Sequence, residues 1–175
     1  MRNKMSSLLL VLILSQALSA NCQTPEDKLK SLGIELPKAQ TPVASYVNCV
    51  RVGNLLYLSG KGPFRPDGTF MQGKLGKDLG VDSGYYAAKL AAIAHLAVLK
   101  EELGSLKRVK KIVKVFGMVN CTANFTEQPQ VINGYSDFMI SIFGEKGKHA
   151  RSAVGMCSLP RNYCVEVELI VEVEN

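Results

Sequence analysis

The chain has 175 residues, of which 47% are hydrophobic and 21% charged, with a formal net charge of +6. That length suits one domain whose core is large enough to need no disulfide or metal staple, and the composition excludes an intrinsically disordered chain. The positive excess is spread over a solvated face except at Lys107-Arg108-Val109-Lys110-Lys111, which lacks interleaved aromatics for stacking bases, so no nucleic-acid partner is expected.

Arg2 and Lys4 precede an apolar run, Leu8 to Leu14, that leads into Ala17-Leu18-Ser19-Ala20. This is the pattern of a secretory signal peptide over 1–20, too short for a stable membrane span, and it predicts an exported protein, periplasmic or secreted. Loss of Arg2 and Lys4 would lower the charge from +6 to +4. Acylation of Cys22 as a lipoprotein is the variant reading, and Asn21 before the cysteine fits it poorly. A lead-in over 21–40 and a folded domain over 41–175 follow. In the lead-in, Thr24-Pro25-Glu26-Asp27 and Gly33 punctuate a short helix.

Two apolar runs, Tyr46 to Val52 and Leu55 to Ser59, are joined by Gly53-Asn54, a two-residue hairpin turn. Ser59-Gly60-Lys61-Gly62 comes next, a plain turn or a place where open amides and a hydroxyl meet a ligand. Pro66-Asp67-Gly68 is a turn, and Gly73 to Leu79 a connector with a short strand. Asp82 is expected to cap a helix from Ser83 to Leu103, ended by Gly104, with Leu90, Ile93, Ala94, Ala97 and Leu99 on the sheet side and His95 a packed or surface residue rather than a catalytic base. Val109 to Asn120 is too densely apolar for an exposed strand and reads as central. Thr126 to Gly144 reads as a second helix, with Val131, Ile132, Tyr135, Phe138, Met139, Ile142 and Phe143 as its buried stripe and Asn133 off it, facing solvent or a cleft. Asn120-Cys121-Thr122 and Asn124-Phe125-Thr126 are sequons.

The last stretch is expected to be a hairpin. Val165, Val167, Leu169, Val171 and Val173 alternate with Glu166, Glu168, Ile170 and Glu172, and Leu159 to Tyr163 supplies the turn. In that register Arg151 and Glu166 share a sheet face about six residues apart, roughly 20 Å at ~3.3 Å per residue, too far for one chain to bring both to one small ligand. The whole order predicts an α+β fold with helices on one face of a mixed sheet. Five cysteines form no framework, Cys49 and Cys121 read as buried free thiols, and with neither a CxxC nor an HExxH pattern no metal is expected.

Taken together, Tyr46, Ser59-Gly60, Asn133, Arg151-Ser152-Ala153-Val154, Leu159-Pro160 and Val165-Glu166-Val167-Glu168 resemble, in order and spacing, the Rid/YjgF family of reactive intermediate deaminases, once labelled perchloric-acid-soluble ribonucleases. The longer lead-in and Gly73 to Leu79 look like a less characterised branch of it. The resemblance implies a chorismate-mutase-like α+β fold, a homotrimer with clefts between subunits, no cofactor, and hydrolysis of imines or enamines to 2-oxo acids and ammonia. By position it implies that Arg151 holds the carboxylate of a small-molecule substrate and Glu166 orients the attacking water. Tyr46, Ser59, the Gly60 amide and Asn133 would shape the pocket. A noncatalytic trimeric binder of small carboxylates is the alternative, and ribonuclease activity ranks below both. Three features depart from the family pattern: the leader, Ala153 where cysteine is frequent, and Lys61 where glutamine is common. Lys61 is either a second cation of the pocket or a surface lysine.

Overall fold

The computed structural model describes residues 23–42 and 44–174; the leader at 1–20 and Cys22 lie outside the described residues. Helix α1 spans Pro25–Ser31. Thr24 Oγ1 accepts from the Asp27 amide at 3.1 Å while Asp27 Oδ2 accepts from the Thr24 amide at 3.1 Å, a reciprocal cap that satisfies two orphan donors. Glu26 fastens this helix to the rest of the chain, its Oε1 accepting from Lys100 Nζ at 3.0 Å, Ser105 Oγ at 3.0 Å and the Leu106 amide at 2.8 Å.

Strands β1 (Cys49–Val52) and β2 (Leu55–Lys61) form the expected hairpin around Gly53, whose φ of +61° suits glycine. Helix α2 (Val81–Leu103) ends at Gly104 in the left-handed conformation. It begins two residues earlier than expected: Gly80 is the N-cap without a side-chain bond, and Asp82 lies inside the first turn. There its carboxylate still complements the positive end of the helix dipole. Strand β3 (Val109–Asn120), helix α3 (Gln128–Phe143), strand β4 (Ala150–Met156) and strand β5 (Val165–Val173) complete the chain. All seven stripe residues of α3 are buried.

The sheet order is β1-β2-β5-β3-β4, antiparallel except for the parallel pair β3 and β4. This corrects the C-terminal hairpin. β4 and β5 are not paired; β3 lies between them, bonded to β4 on one side and β5 on the other. Alternation identifies a strand and its faces but not its neighbour. A long strand with apolar residues on both faces, Val115 and Val119 on one and Phe116 and Met118 on the other, gains most from two hydrogen-bonded flanks, and it displaces the sequence-adjacent pairing.

The register also separates the two predicted catalytic residues. Val115 lies between Arg151 and Leu169, and Met118 between Val154 and Glu166. Leu169, Val167 and Val165 belong to the core beneath the helices, where Gly117 makes room for α3: a Cβ there would stand 2.7 Å from Ile132 Cδ1. Arg151 therefore faces the helix layer, while Glu166 and Glu168 face the other side of the sheet. They do not share a face.

That second face carries Val50, Val52 and Tyr57, each 44% exposed or more, with Phe116, Met118, Ile170 and Val154 half-buried. Cys121 and Cys164 are buried, Cys49 is half-buried and Cys157 exposed, all as free thiols. Of the two sequons, Asn120 is 1% exposed, its Nδ2 donating to Asn162 Oδ1 at 3.1 Å, so it is closed to glycosylation in the folded chain; Asn124 is exposed.

Candidate functional site

Strand β2 does not end in a plain turn. Leu58 pairs with Leu169 and Lys61 with Val167, so Ser59 and Gly60 together oppose Glu168. This bulge shifts the phase of the strand. Before it Leu56 and Leu58 point to the helices and Tyr57 and Ser59 away; after it Lys61 points inward and is 7% exposed.

Gly60 sits in the bulge against Glu166. A Cβ at this position would overlap Glu166 Oε1 and stand 3.0 Å from its Cδ, so only glycine lets the carboxylate lie on the strand backbone. Gly62 serves Tyr163 in the same way, at 2.7 Å from its Cδ2. The result is a cleft of about 210 Å³ in which Tyr46, Gly60, Lys61, Arg161, Tyr163 and Glu166 converge, with Gln40, Thr41 and Pro42 along one lip. Burial raises the Glu166 carboxyl above the ordinary glutamate range, the neighbouring Glu168 raises it further, and Lys61 opposes both. Such a carboxylate is a stronger base than a solvated one.

His95 holds this bulge from behind. Its Nε2 lies 3.2 Å from the Ser59 carbonyl and its Nδ1 2.8 Å from Tyr135 Oη. A carbonyl can only accept, so Nε2 carries the proton and Nδ1 accepts from the tyrosine hydroxyl. Burial drives its pKa down to about 3, so the ring is neutral. Of the two noncatalytic places left open for His95, packed or on the surface, the structure shows the packed one, with a polar link between α2, α3 and β2.

Arg151 forms a second cluster. Nη1 donates to Asn133 Oδ1 at 2.9 Å and Ser136 Oγ at 3.0 Å, and Nη2 to the Pro129 carbonyl at 3.4 Å. Ser136 is itself tied to His149 Nε2 at 3.0 Å, and His149 Nδ1 to the Gly147 carbonyl at 2.6 Å. Three of the five guanidinium protons are used, which leaves Nε and one Nη2 proton without a partner among the described residues, a side-on fork matched to a carboxylate.

Of the six residues singled out in the sequence, one chain thus brings Tyr46, Gly60 and Glu166 into one cleft and Asn133 and Arg151 into a separate cluster. Ser59 is beside the cleft with its hydroxyl committed to the Val47 carbonyl at 2.7 Å.

Residues 26–173 match the family described as "YjgF/chorismate mutase-like, putative endoribonuclease". The chain belongs to the YjgF family. A YjgF relative, Protein TCP17 of Trypanosoma cruzi, is 44% identical over 148 residues, covering 84% of this chain and 92% of that protein. The crystal structure of the protein Atu1372 of Agrobacterium tumefaciens superposes with a TM-score of 0.80 at 43% identity, over 86% of this chain and 92% of that one. A protein of Dermatophagoides farinae named 2-iminobutanoate/2-iminopropanoate deaminase is 29% identical over 153 residues, 81% of this chain and 95% of that protein.

Several side chains of the cleft and of the Arg151 cluster are not among the six residues singled out in the sequence. Arg161 and Asn162 adopt left-handed backbone angles, φ of +53° and +58°, which place Arg161 at the cleft mouth. Phe70 stacks on Tyr163 with centroids 4.6 Å apart. Gly62 was the available signal for Tyr163; Ser136 and His149, behind Arg151, had none beyond lying near it in sequence.

Proposed function

We propose that the protein hydrolyses reactive imines or enamines to 2-oxo acids and ammonia, in clefts completed between the subunits of a homotrimer. The observation that carries this reading is the division of the site: a basic carboxylate in a cleft on one part of the chain, and an oriented, half-satisfied guanidinium on the opposite face of the sheet at its edge. Neither half suffices alone. The second sheet face, with Val50, Val52 and Tyr57 exposed, is the kind of apolar surface that a neighbouring copy covers. The deaminase name of the Dermatophagoides relative points to the same reaction.

Arg151 of a neighbouring subunit would grip the substrate carboxylate through its free fork and so fix the imine carbon against Glu166. An iminium carbon is already electrophilic, so the chain must supply only position and a base. Glu166 takes a proton as water adds to that carbon and returns it to the nitrogen; the C–N bond then breaks as Glu166 takes the proton of the new hydroxyl, giving the 2-oxo acid and ammonia. The leader at 1–20 carries the further proposal that this happens outside the cytosol.

The test is release of 2-oxo acid and ammonium from freshly generated 2-iminobutanoate and 2-iminopropanoate. We expect acceleration by the purified protein and a loss of at least about 10²-fold in Arg151→Ala, since removal of a positioning contact costs this much. No acceleration over buffer with either imine would refute the reading; binding of 2-oxo acids without turnover would select the noncatalytic binder.

A further inference from the structure

The Glu166 cleft holds more positive charge than a substrate with one carboxylate can use. Lys61 is 7% exposed and its only hydrogen-bond partner among the described residues is Asn48 Oδ1, at 2.5 Å. Asn48 is oriented by its own bond, Nδ2 to the Gln40 carbonyl at 2.9 Å, so its oxygen is the atom presented to the lysine. An ammonium has three protons, and two of them have no acceptor among the described residues. No carboxylate forms an ion pair with it among the described residues. A buried ammonium satisfied by one amide oxygen is costly, and the partner it lacks is an anion.

Arg161 is the second cation of the same cleft. It is held at the mouth by its left-handed backbone and by Nη1 resting 3.4 Å from Tyr163 Oη, whose ring is fixed by stacking on Phe70. Lys61 and Arg161 against Glu166 leave the cleft with one net positive charge before Arg151 of a neighbour is added. An iminium with a single carboxylate is neutral overall and would spend that carboxylate on Arg151. One of the two cations beside Glu166 would then face no counter-charge.

We propose that the cleft is built for imines and 2-oxo acids whose side chain ends in a second carboxylate, with Lys61 and Arg161 as the subsite for that group. This rests on the proposed role of Arg151 in holding the first carboxylate and deepens it by naming the substrate class. Lys61 is then a specificity residue, and its burial is the reason it discriminates: an anion reaching it exchanges water for an otherwise unpaired charge.

Calorimetry with two non-reacting ligands, 2-oxoglutarate and 2-oxobutanoate, tests this on wild-type protein, Lys61→Gln, Arg161→Gln and Arg151→Ala. The expected result is that 2-oxoglutarate binds about tenfold more tightly than 2-oxobutanoate to the wild type, the scale of one hydrogen bond to a charged group. That ratio should fall to about one in Lys61→Gln and part of the way in Arg161→Gln, whose exposed side chain can be lost without disturbing the core. A wild-type ratio near one, or a ratio unchanged in Lys61→Gln, overturns the proposal; if Lys61→Gln does not fold, an unchanged ratio in Arg161→Gln overturns it. Failure of the underlying reading looks different: 2-oxobutanoate would bind no more weakly to Arg151→Ala than to the wild type, or would not bind at all.

Discussion

Acidification should unfasten the protein through His95. The ring is fully enclosed, accepts from Tyr135 and donates to the Ser59 carbonyl, and burial lowers its pKa from 6.5 to about 3. The sign follows from linkage. A group whose folded pKa is depressed contributes stability that is complete above its unfolded pKa and is lost as the pH falls towards the folded value, here between about 6.5 and about 3. Between pH 7.0 and pH 4.5 the unfolded chain takes up most of one proton at this ring and the folded chain almost none, a difference of about 2.5 kcal/mol at 1.36 kcal/mol per pH unit. Urea unfolding of wild type and His95→Gln at both pH values isolates it, since the carboxylates and His149 are common to both chains. The wild type should lose about 2.5 kcal/mol more than the variant over that interval. If the two proteins lose the same stability on acidification, His95 is not held neutral as described, and the argument for its tautomer fails with it.

Four other outcomes follow from the same contacts. Gly60→Ala should leave the melting temperature nearly unchanged, because the Glu166 side chain can swing away from the new Cβ, but should cut imine hydrolysis by about 10²-fold, the cost of a base misplaced by ~1 Å; a rate within a factor of two of wild type would contradict the placement of Glu166. The acid limb of kcat/KM should lie above the ordinary glutamate value of 4.5, since Glu166 must be deprotonated to act and burial raises its pKa, and a profile flat down to that pH would remove it as the base. Gly134→Ala should destabilise by about 1–3 kcal/mol in urea, because its Cβ would overlap the Tyr85 carbonyl oxygen and backbone cannot swing aside. Glu26→Ala should cost about 1 kcal/mol and expose the lead-in to limited proteolysis, as Ser105 Oγ and the Leu106 amide lose their acceptor.

Much of the fold was legible because its signals are local. Gly53-Asn54 forces a tight turn, Gly104 ends α2 in the left-handed region, and the stripe from Val131 to Phe143 has one helical period. What could not be read was which strand lies beside which. The alternation in β5 is as good for pairing with β4 as with β3, and only the competition among strands for the centre of the sheet decides it. The predicted division of Arg151 from Glu166 therefore rested on a wrong geometry, a distance along one hairpin, when the separation comes from opposite faces of the sheet. Lys61 was ambiguous for a related reason. Counted from Leu56 and Leu58 with period two, it belongs on the outer face, and nothing in Ser59-Gly60-Lys61 announces the extra residue that turns it inward.

That extra residue makes length, as well as residue identity, a determinant of the pocket. Deleting Gly60 would let β2 run in step with β5 past Glu168, leave the lysine opposite Val167 on the inner face, and withdraw the glycine on which Glu166 rests. A single codon deletion there would thus displace the base while the lysine and every strand keep their partners. Relatives that differ in the spacing between this strand and the glycine pair after it should differ in ligand even where each side chain is matched.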